Sequence, residues 1–209
     1  MDIPMLAATE GQARQFAGEF GLPPEILARC STLLCLELMS YHYVHDIDPS
    51  NITDEILAME GIDSRPRGTH RAEKFRHDAL RGLWKKHWFD PRFIAQNVLN
   101  VLRNGGLDQT IHDVLDPTQA PPGETHQDHA VRLSTLLGRL SVEVPIQQRQ
   151  SARKLSGEWI VFAPHQTGKH YLSVSTHGEG DAVIREKIIR HCVPEFPFLR
   201  DVLRVETAG

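Results

Sequence analysis

Cysteine is scarce in this chain: three residues among 209, at Cys30, Cys35 and Cys192. An odd count this small does not build a disulfide framework. Cys30 and Cys35 are five positions apart, not at the short spacing of a zinc knuckle, and both fall in an apolar helical run. They read as small hydrophobic core residues, and so does Cys192. Long apolar runs are missing too. No stretch reaches the roughly 20 residues of a membrane span, so no membrane partner is expected. The N-terminal MDIPMLAATEGQ lacks a basic segment followed by an apolar one, and a cytoplasmic protein is expected. Positive charge is not in excess: 23 Lys and Arg against 27 Asp and Glu give a formal net charge of -4. That excludes a globally basic nucleic-acid binder but not a local basic patch. Internal repeats and low-complexity tracts are also absent.

What is present is a core-forming composition, 40% hydrophobic and 24% charged, with 12 histidines. Charge is unevenly spread. Residues 1–64 hold two basic and eleven acidic residues, residues 65–92 hold nine basic and three acidic, and residues 117–209 are nearly balanced. Such asymmetry marks interaction surfaces, or two segments that face each other.

The first half reads as helical. A short helix spans about Thr9 to Phe20, ending at Gly21. Pro23-Pro24 opens a central buried helix through Ile26, Cys30, Leu34 and Leu38. Asp48-Pro49-Ser50 reads as a turn, and Thr53 as the cap of a helix ending near Gly61. A helix is expected from about Arg71 to Trp88, with Gly82 its weak point. Asp90-Pro91 starts another, and a further helix carries Leu107 and Ile111. Pro117 to Gly123, with three prolines in seven residues, is the best linker. It divides a helical domain, 1–116, from a small α+β domain, 117–209. Beyond it, Leu133, Leu136, Leu137 and Leu140 mark an amphipathic helix. Ser141 to Val144 is a candidate strand.

From Ser156 the pattern changes. Glu158 to Ala163 and His170 to Thr176 are rich in β-branched and aromatic residues, with Pro164 to Gly168 between them, which predicts a β-hairpin. Alternation places Leu172 and Val174 on a core face. Tyr171, Ser173, Ser175 and His177 fall on the other, which antiparallel sheets often leave open. Asp181 then opens a helix through Ile184 and Ile188. Metal-independent RNA cleavage needs one group to take the 2′-hydroxyl proton, another to protonate the leaving oxygen, and a cation for the phosphate. His165, His170, His177, Lys169 and Arg185 offer such a set. The alternative is a solvated strand face with no chemistry.

The stretch Gly157 to Ala163, a short polar loop, then His170 to His177 resembles the C-terminal sheet of small prokaryotic and phage proteins of the barnase–EndoU–colicin–RelE type of RNase. That resemblance implies helices packed on an antiparallel sheet of about four strands, two of which are evident here. It also implies a metal-independent nuclease without cofactor, acting on RNA. The positions it carries over are His165, Lys169, His170, Thr176 and His177 as catalytic residues.

Two other features bear on function. On a helix over Arg71 to Trp88, Lys74, Arg81 and Lys85 form one stripe with Trp88 beside it, a pattern that tracks phosphates and stacks a base. The alternative is an ordinary amphipathic helix facing solvent or the acidic N-terminal segment. His42 and His45, and His126 and His129, are each three apart, so each pair could offer two ligands to one metal, with Asp46 and His77 or His87 completing the set. His45-Asp46 is similar to the adjacent pair of metal-dependent HD phosphohydrolases. The expected fold is therefore α+β: a helical N-terminal part with a small C-terminal antiparallel sheet plus helix. The leading function is a nuclease-like module acting on RNA. The alternatives are a non-catalytic module that binds a protein partner and a metal-dependent phosphohydrolase.

Overall fold

A computed structural model describes residues 8–63, 69–103, 107–114, 121, 123–152, 158–166, 168–176 and 178–205. Nine α-helices and four strands follow in chain order among these residues: α1 (Glu10–Glu19), α2 (Pro24–Leu27), α3 (Thr32–His45), α4 (Ser50–Met59), β1 (Glu73–Lys74), β2 (Trp84–His87), α5 (Ile94–Leu102), α6 (Asp108–Val114), α7 (His126–Ser151), β3 (Trp159–His165), β4 (Gly168–Ser175), α8 (Asp181–His191) and α9 (Leu199–Leu203). The chain is mixed α+β, with helices dominating the N-terminal part and the longest strands in the C-terminal part.

The four strands form one antiparallel sheet in the order β1-β2-β3-β4. Its strands come from both sides of the 117–123 segment, most of which lies outside the described residues. Both faces are covered. Ile160, Phe162, Tyr171 and Val174 pack with Phe16, Cys30, Leu34 and Leu38 of the N-terminal helices and their connections. Val161, Ala163 and Leu172 pack with Ile184, Ile188 and Cys192 of α8 and its end, and with Leu199 and Leu203 of α9. The sheet is thus the middle layer of three.

The hairpin forms where expected, but its far face is not open. Ser173 and Ser175 are both 0% exposed. The pairing also shifts: Val161 opposes Ser173 while Phe162 opposes Tyr171, leaving Leu172 as an extra residue. This bulge breaks the expected alternation. Tyr171 and Val174 join one core and Leu172 the other.

The predicted helix over Arg71 to Trp88 is replaced by β1, a short 3₁₀ turn at Asp78–Leu80 and β2. Gly82 explains why. It adopts φ +99, and a Cβ there would lie 2.9 Å from the Val202 carbonyl oxygen. Only glycine fits this backbone and this close approach. The central helix is also interrupted. Between α2 and α3 the chain runs extended at Cys30, where the Tyr171 amide donates to the Arg29 carbonyl (2.8 Å) and the Ser31 amide to the Tyr171 carbonyl (2.9 Å). This segment covers the outer edge of β4, which would otherwise present unpaired backbone groups. Ser31 then caps α3, its hydroxyl accepting from the Leu34 amide at 2.9 Å.

Other boundaries move less. α4 begins at Ser50 rather than Thr53, because the buried Thr53 hydroxyl donates instead to the Phe20 carbonyl. Ser141 to Val144, read as a candidate strand, lies inside α7, which continues through Pro145.

Candidate nucleic-acid interface

The five hairpin positions carried over from the RNase resemblance do not form one set among the described residues; His177 lies outside them. His165, at the loop end of β3, is exposed and stacks flat on Phe198, with ring centroids 4.0 Å apart. His170 is 8% exposed, packed by the edges of Phe196 and Phe198, and its Nδ1 has no partner among the described residues. The two imidazole centroids are 5.9 Å apart. Burial, then the neighbouring His165 and Arg29, lowers the His170 pKa below its ordinary value.

Lys169 points elsewhere. Its Nζ donates to the Met59 carbonyl at 2.8 Å and lies 3.5 Å from Glu60. Glu60 also receives Arg29, at 2.7 and 3.3 Å, and the Tyr171 hydroxyl at 2.6 Å. Burial alone would raise the Glu60 carboxyl, but these hydrogen bonds and charges override it and hold it down to about 2. Thr176 sits beyond the end of β4, where its amide faces Glu179. Arg185, offered as a phosphate cation, donates to the Leu203 carbonyl at 2.9 Å.

The row of hydroxyls on β4 is closed off by a buried carboxylate. Glu37 of α3 accepts the Val174 amide (2.6 Å) and the Ser173 hydroxyl (3.1 Å), and Lys187 of α8 lies 2.9 Å from it. Lys187 also reaches Glu179 at 2.7 Å. Burial would lower the lysine pKa, but two carboxylates at these distances raise it. The serines read as lying on an open face are therefore part of a structural polar network.

The open chemistry lies at the other end of the sheet. β1, β2 and the turn between them line a groove of about 480 Å³ with Glu73, Lys74, Phe75, Arg76, His77, Lys85, Trp159 and Asp181. Lys85 is its centre. The ammonium lies 4.3 Å from the Trp159 ring centroid and 5.4 Å from that of Phe75, with Glu73 at 3.4 Å. Lys74 reaches over Trp84, at 5.3 Å. Of the four expected nucleic-acid contacts, Lys85 has its ammonium in the groove, whereas Lys74 borders it with an ammonium that lies over Trp84 on the opposite face of the strand pair. Arg81 sits at its turn, exposed and paired with Asp78 at 2.5 Å. Trp88 is fully buried against Tyr41 and is a core residue rather than a stacking platform.

From the sequence His77 was offered only as a further metal ligand and Trp159 only as part of the hairpin, while Glu73, Phe75 and Arg76 were not singled out. The only signal for them is the charge excess of residues 65–92, since a helical reading scatters these side chains round a cylinder.

The histidine pairs are separate from the groove. His42 packs against Phe16, Phe20 and Tyr43, and His45 against Tyr41. Asp46, next to His45, is the left-handed cap of α3. His129 lies 2.7 Å from Glu124, which Arg132 also holds. Among the described residues no three His, Cys, Asp or Glu side chains converge to hold a metal. The three thiols are buried, and burial pushes those of Cys35 and Cys192 up to about 12, so they are poor nucleophiles. No helix among the described residues is long and apolar enough to cross a membrane. No known family model matches the chain, and no curated protein or solved structure is similar to it.

Proposed function

We propose that this protein is a nuclease-like module that binds single-stranded RNA in the β1–β2 groove. The observation that carries this reading is the placement of Lys85 over Trp159 and beside Phe75 in a groove that Arg76 and His77 also line. A cation held on aromatic rings in partly dehydrated surroundings attracts a phosphate more strongly than one in bulk water, and the basic neighbours extend the track along a backbone. The same groove contains an imidazole, His77, and a carboxylate, Glu73. These residue types serve the two proton transfers of phosphodiester cleavage. One takes the 2′-hydroxyl proton as that oxygen attacks phosphorus, and the other gives a proton to the departing 5′-oxygen. Lys85 and Arg76 are the cations for the charge that gathers on the phosphate.

The hairpin histidines support this chemistry less well, because His170 is enclosed by phenylalanines and Lys169 is committed to Glu60. That enclosure favours a second reading, RNA or protein binding without cleavage.

The test uses a labelled pool of single-stranded RNA in EDTA with wild type, K85A, H77A and H165A. K85A is expected to weaken binding about tenfold, in line with the loss of one charge-assisted phosphate contact. H77A is expected to slow cleavage about 10²–10⁴-fold while binding is retained. H165A is expected to change neither. Binding without cleavage by wild type selects the second reading, and no binding overturns both RNA readings.

A further inference from the structure

A second group of side chains sits on the α8 face of the sheet, away from the groove. His165 and His170 share that face: His170 pairs across the hairpin with Ala163, and His165 follows Ala163 by two positions. Both lie at the loop end of the hairpin, roughly 20 Å along β3 from Trp159. Their ring centroids are 5.9 Å apart, with the planes at 69°. Phe198 stacks on His165, and Phe196 and Phe198 meet His170 edge to face.

One atom in this group lacks what burial demands. The His170 Nδ1 is out of contact with solvent and has no hydrogen-bond partner among the described residues. Leaving a buried polar nitrogen unpaired is costly, and a ligand that takes its lone pair removes the cost. A water there would need two or more polar partners, and phenyl rings form much of the wall. A metal ion needs only the two imidazoles. Bound at about 2 Å by one nitrogen of each ring, it sets the two centroids roughly 5–6 Å apart, which is the spacing here.

We propose that His165 and His170 form a two-coordinate site for a soft monovalent metal ion, Cu(I). The donors select that ion. Among the described residues no third His, Cys, Asp or Glu converges on the two rings. Zinc takes four ligands, and calcium and magnesium take six or more oxygens. Two neutral ligands also leave both charges of a divalent ion uncompensated in partly dehydrated surroundings, and the cost of burying charge rises steeply with its size. Imidazole is a copper ligand, and Phe196 and Phe198 keep competing water away. His70 and His87 are also close, at 5.0 Å, but they do not offer the same donors, because the His87 Nε2 accepts the Trp159 indole N–H at 3.0 Å.

The test titrates Cu(I) into the full chain, with ascorbate as reductant under nitrogen and bicinchoninate as competing chelator. Wild type is expected to take up one tight equivalent, and the imidazole nitrogen resonances of His165 and His170 are expected to shift while those of the other histidines stay in place. H165F keeps the ring stack on Phe198 and removes the donor nitrogens. It is expected to hold its thermal midpoint and to lose affinity about 10²–10⁴-fold, the gain from holding two ligands together. H170F is expected to show the same loss, and H165F, at an exposed position, decides the matter where H170F fails to fold. The three buried thiols are intact in both variants, so the loss isolates the imidazoles. H70A is expected to bind as wild type does. No uptake by wild type, unchanged affinity in H165F, loss of the site in H70A, or tighter uptake of Zn(II) than of Cu(I) at this pair each overturns the proposal.

Discussion

Two of the lysine–carboxylate assemblies on this sheet, Lys187 with Glu37 and Lys85 with Glu73, differ in what surrounds them. At the β4 edge, Lys187 and Glu37 are enclosed between α3 and α8, and every polar atom of Glu37 is taken by the Val174 amide, the Ser173 hydroxyl or the lysine. At the β1–β2 end, Lys85 and Glu73 are 3.4 Å apart at the wall of an open groove, with aromatic rings rather than backbone amides as the other neighbours. The first assembly has no remaining capacity for a ligand. The second has a cation held by one partly exposed carboxylate and two ring faces, which leaves it able to accept an incoming phosphate. The same residue types are therefore structural in one place and available in the other, and the difference lies in how completely each is surrounded.

The largest effect expected from this contrast is at Glu37. E37L leaves the Lys187 ammonium with only Glu179 of its two carboxylates and the Val174 amide unpaired, at a cost of about 2–4 kcal/mol. Chemical denaturation of E37L beside K85A measures it. A loss near 1 kcal/mol in E37L would erase the distinction between the two assemblies.

Glu60 comes next. Its carboxyl is held down to about 2, against an ordinary value near 4.5. A folded-state pKa below the unfolded one contributes stability that is present above about pH 4.5 and lost as pH falls toward 2. That share is about 2–3 kcal/mol. E60Q is expected to be less stable than wild type at pH 7 and to approach it at pH 2–3. Parallel stability curves for the two proteins across this range would contradict it.

A smaller pH effect is expected at His170. Its pKa is lowered, so the unfolded chain takes the proton first and acidification below about 6.5 destabilises the fold. H170N should flatten that part of the stability profile, read as thermal midpoints between pH 5 and 7.5. The smallest stability change belongs to K85A, about 1 kcal/mol, because only a cation–π contact and one partly exposed ion pair are lost. Thermal unfolding of K85A beside its RNA binding checks that the groove, unlike the β4 edge, can lose its cation without losing the fold.

The hairpin was legible because β3 and β4 concentrate valine, isoleucine and aromatics in two runs joined by a polar loop. β1 and β2 were not, because Glu73-Lys74 and Trp84-Lys85-Lys86-His87 carry charge without an apolar alternation. Their strand character comes from the register with β3, as in Lys85 opposite Val161. Gly82 was noticed as a weakness in a helix, but the close approach of Val202 that requires it is a tertiary fact. The openness of the β4 hydroxyl face was misread for a related reason. A row of serines on a strand looks solvated until its partners are known, and these are Glu37 and Lys187, one far upstream in sequence and both on helices. The histidines attracted attention by number, whereas the groove is built mostly from lysine, arginine and aromatics. The basic excess over residues 65–92 and the stripe through Lys74, Arg81 and Lys85 pointed to it, although on a helix rather than on strands.

The extended segment at Cys30 that covers β4 has a consequence for how the chain comes into being. The Ser31 hydroxyl donates to the Leu172 carbonyl across 141 sequence positions. Closing a loop of that size precedes any reward from the contacts it brings, which slows folding. During translation at about 5–20 residues per second, α3 waits on the order of ten seconds for its strand to emerge. Through that interval Leu34, Cys35 and Leu38 have no sheet to pack on, and β2 has no neighbour on its β3 side. The nascent N-terminal half is accordingly the stage at which this protein is most exposed to aggregation, and the stage at which a holdase would have the most apolar surface to bind.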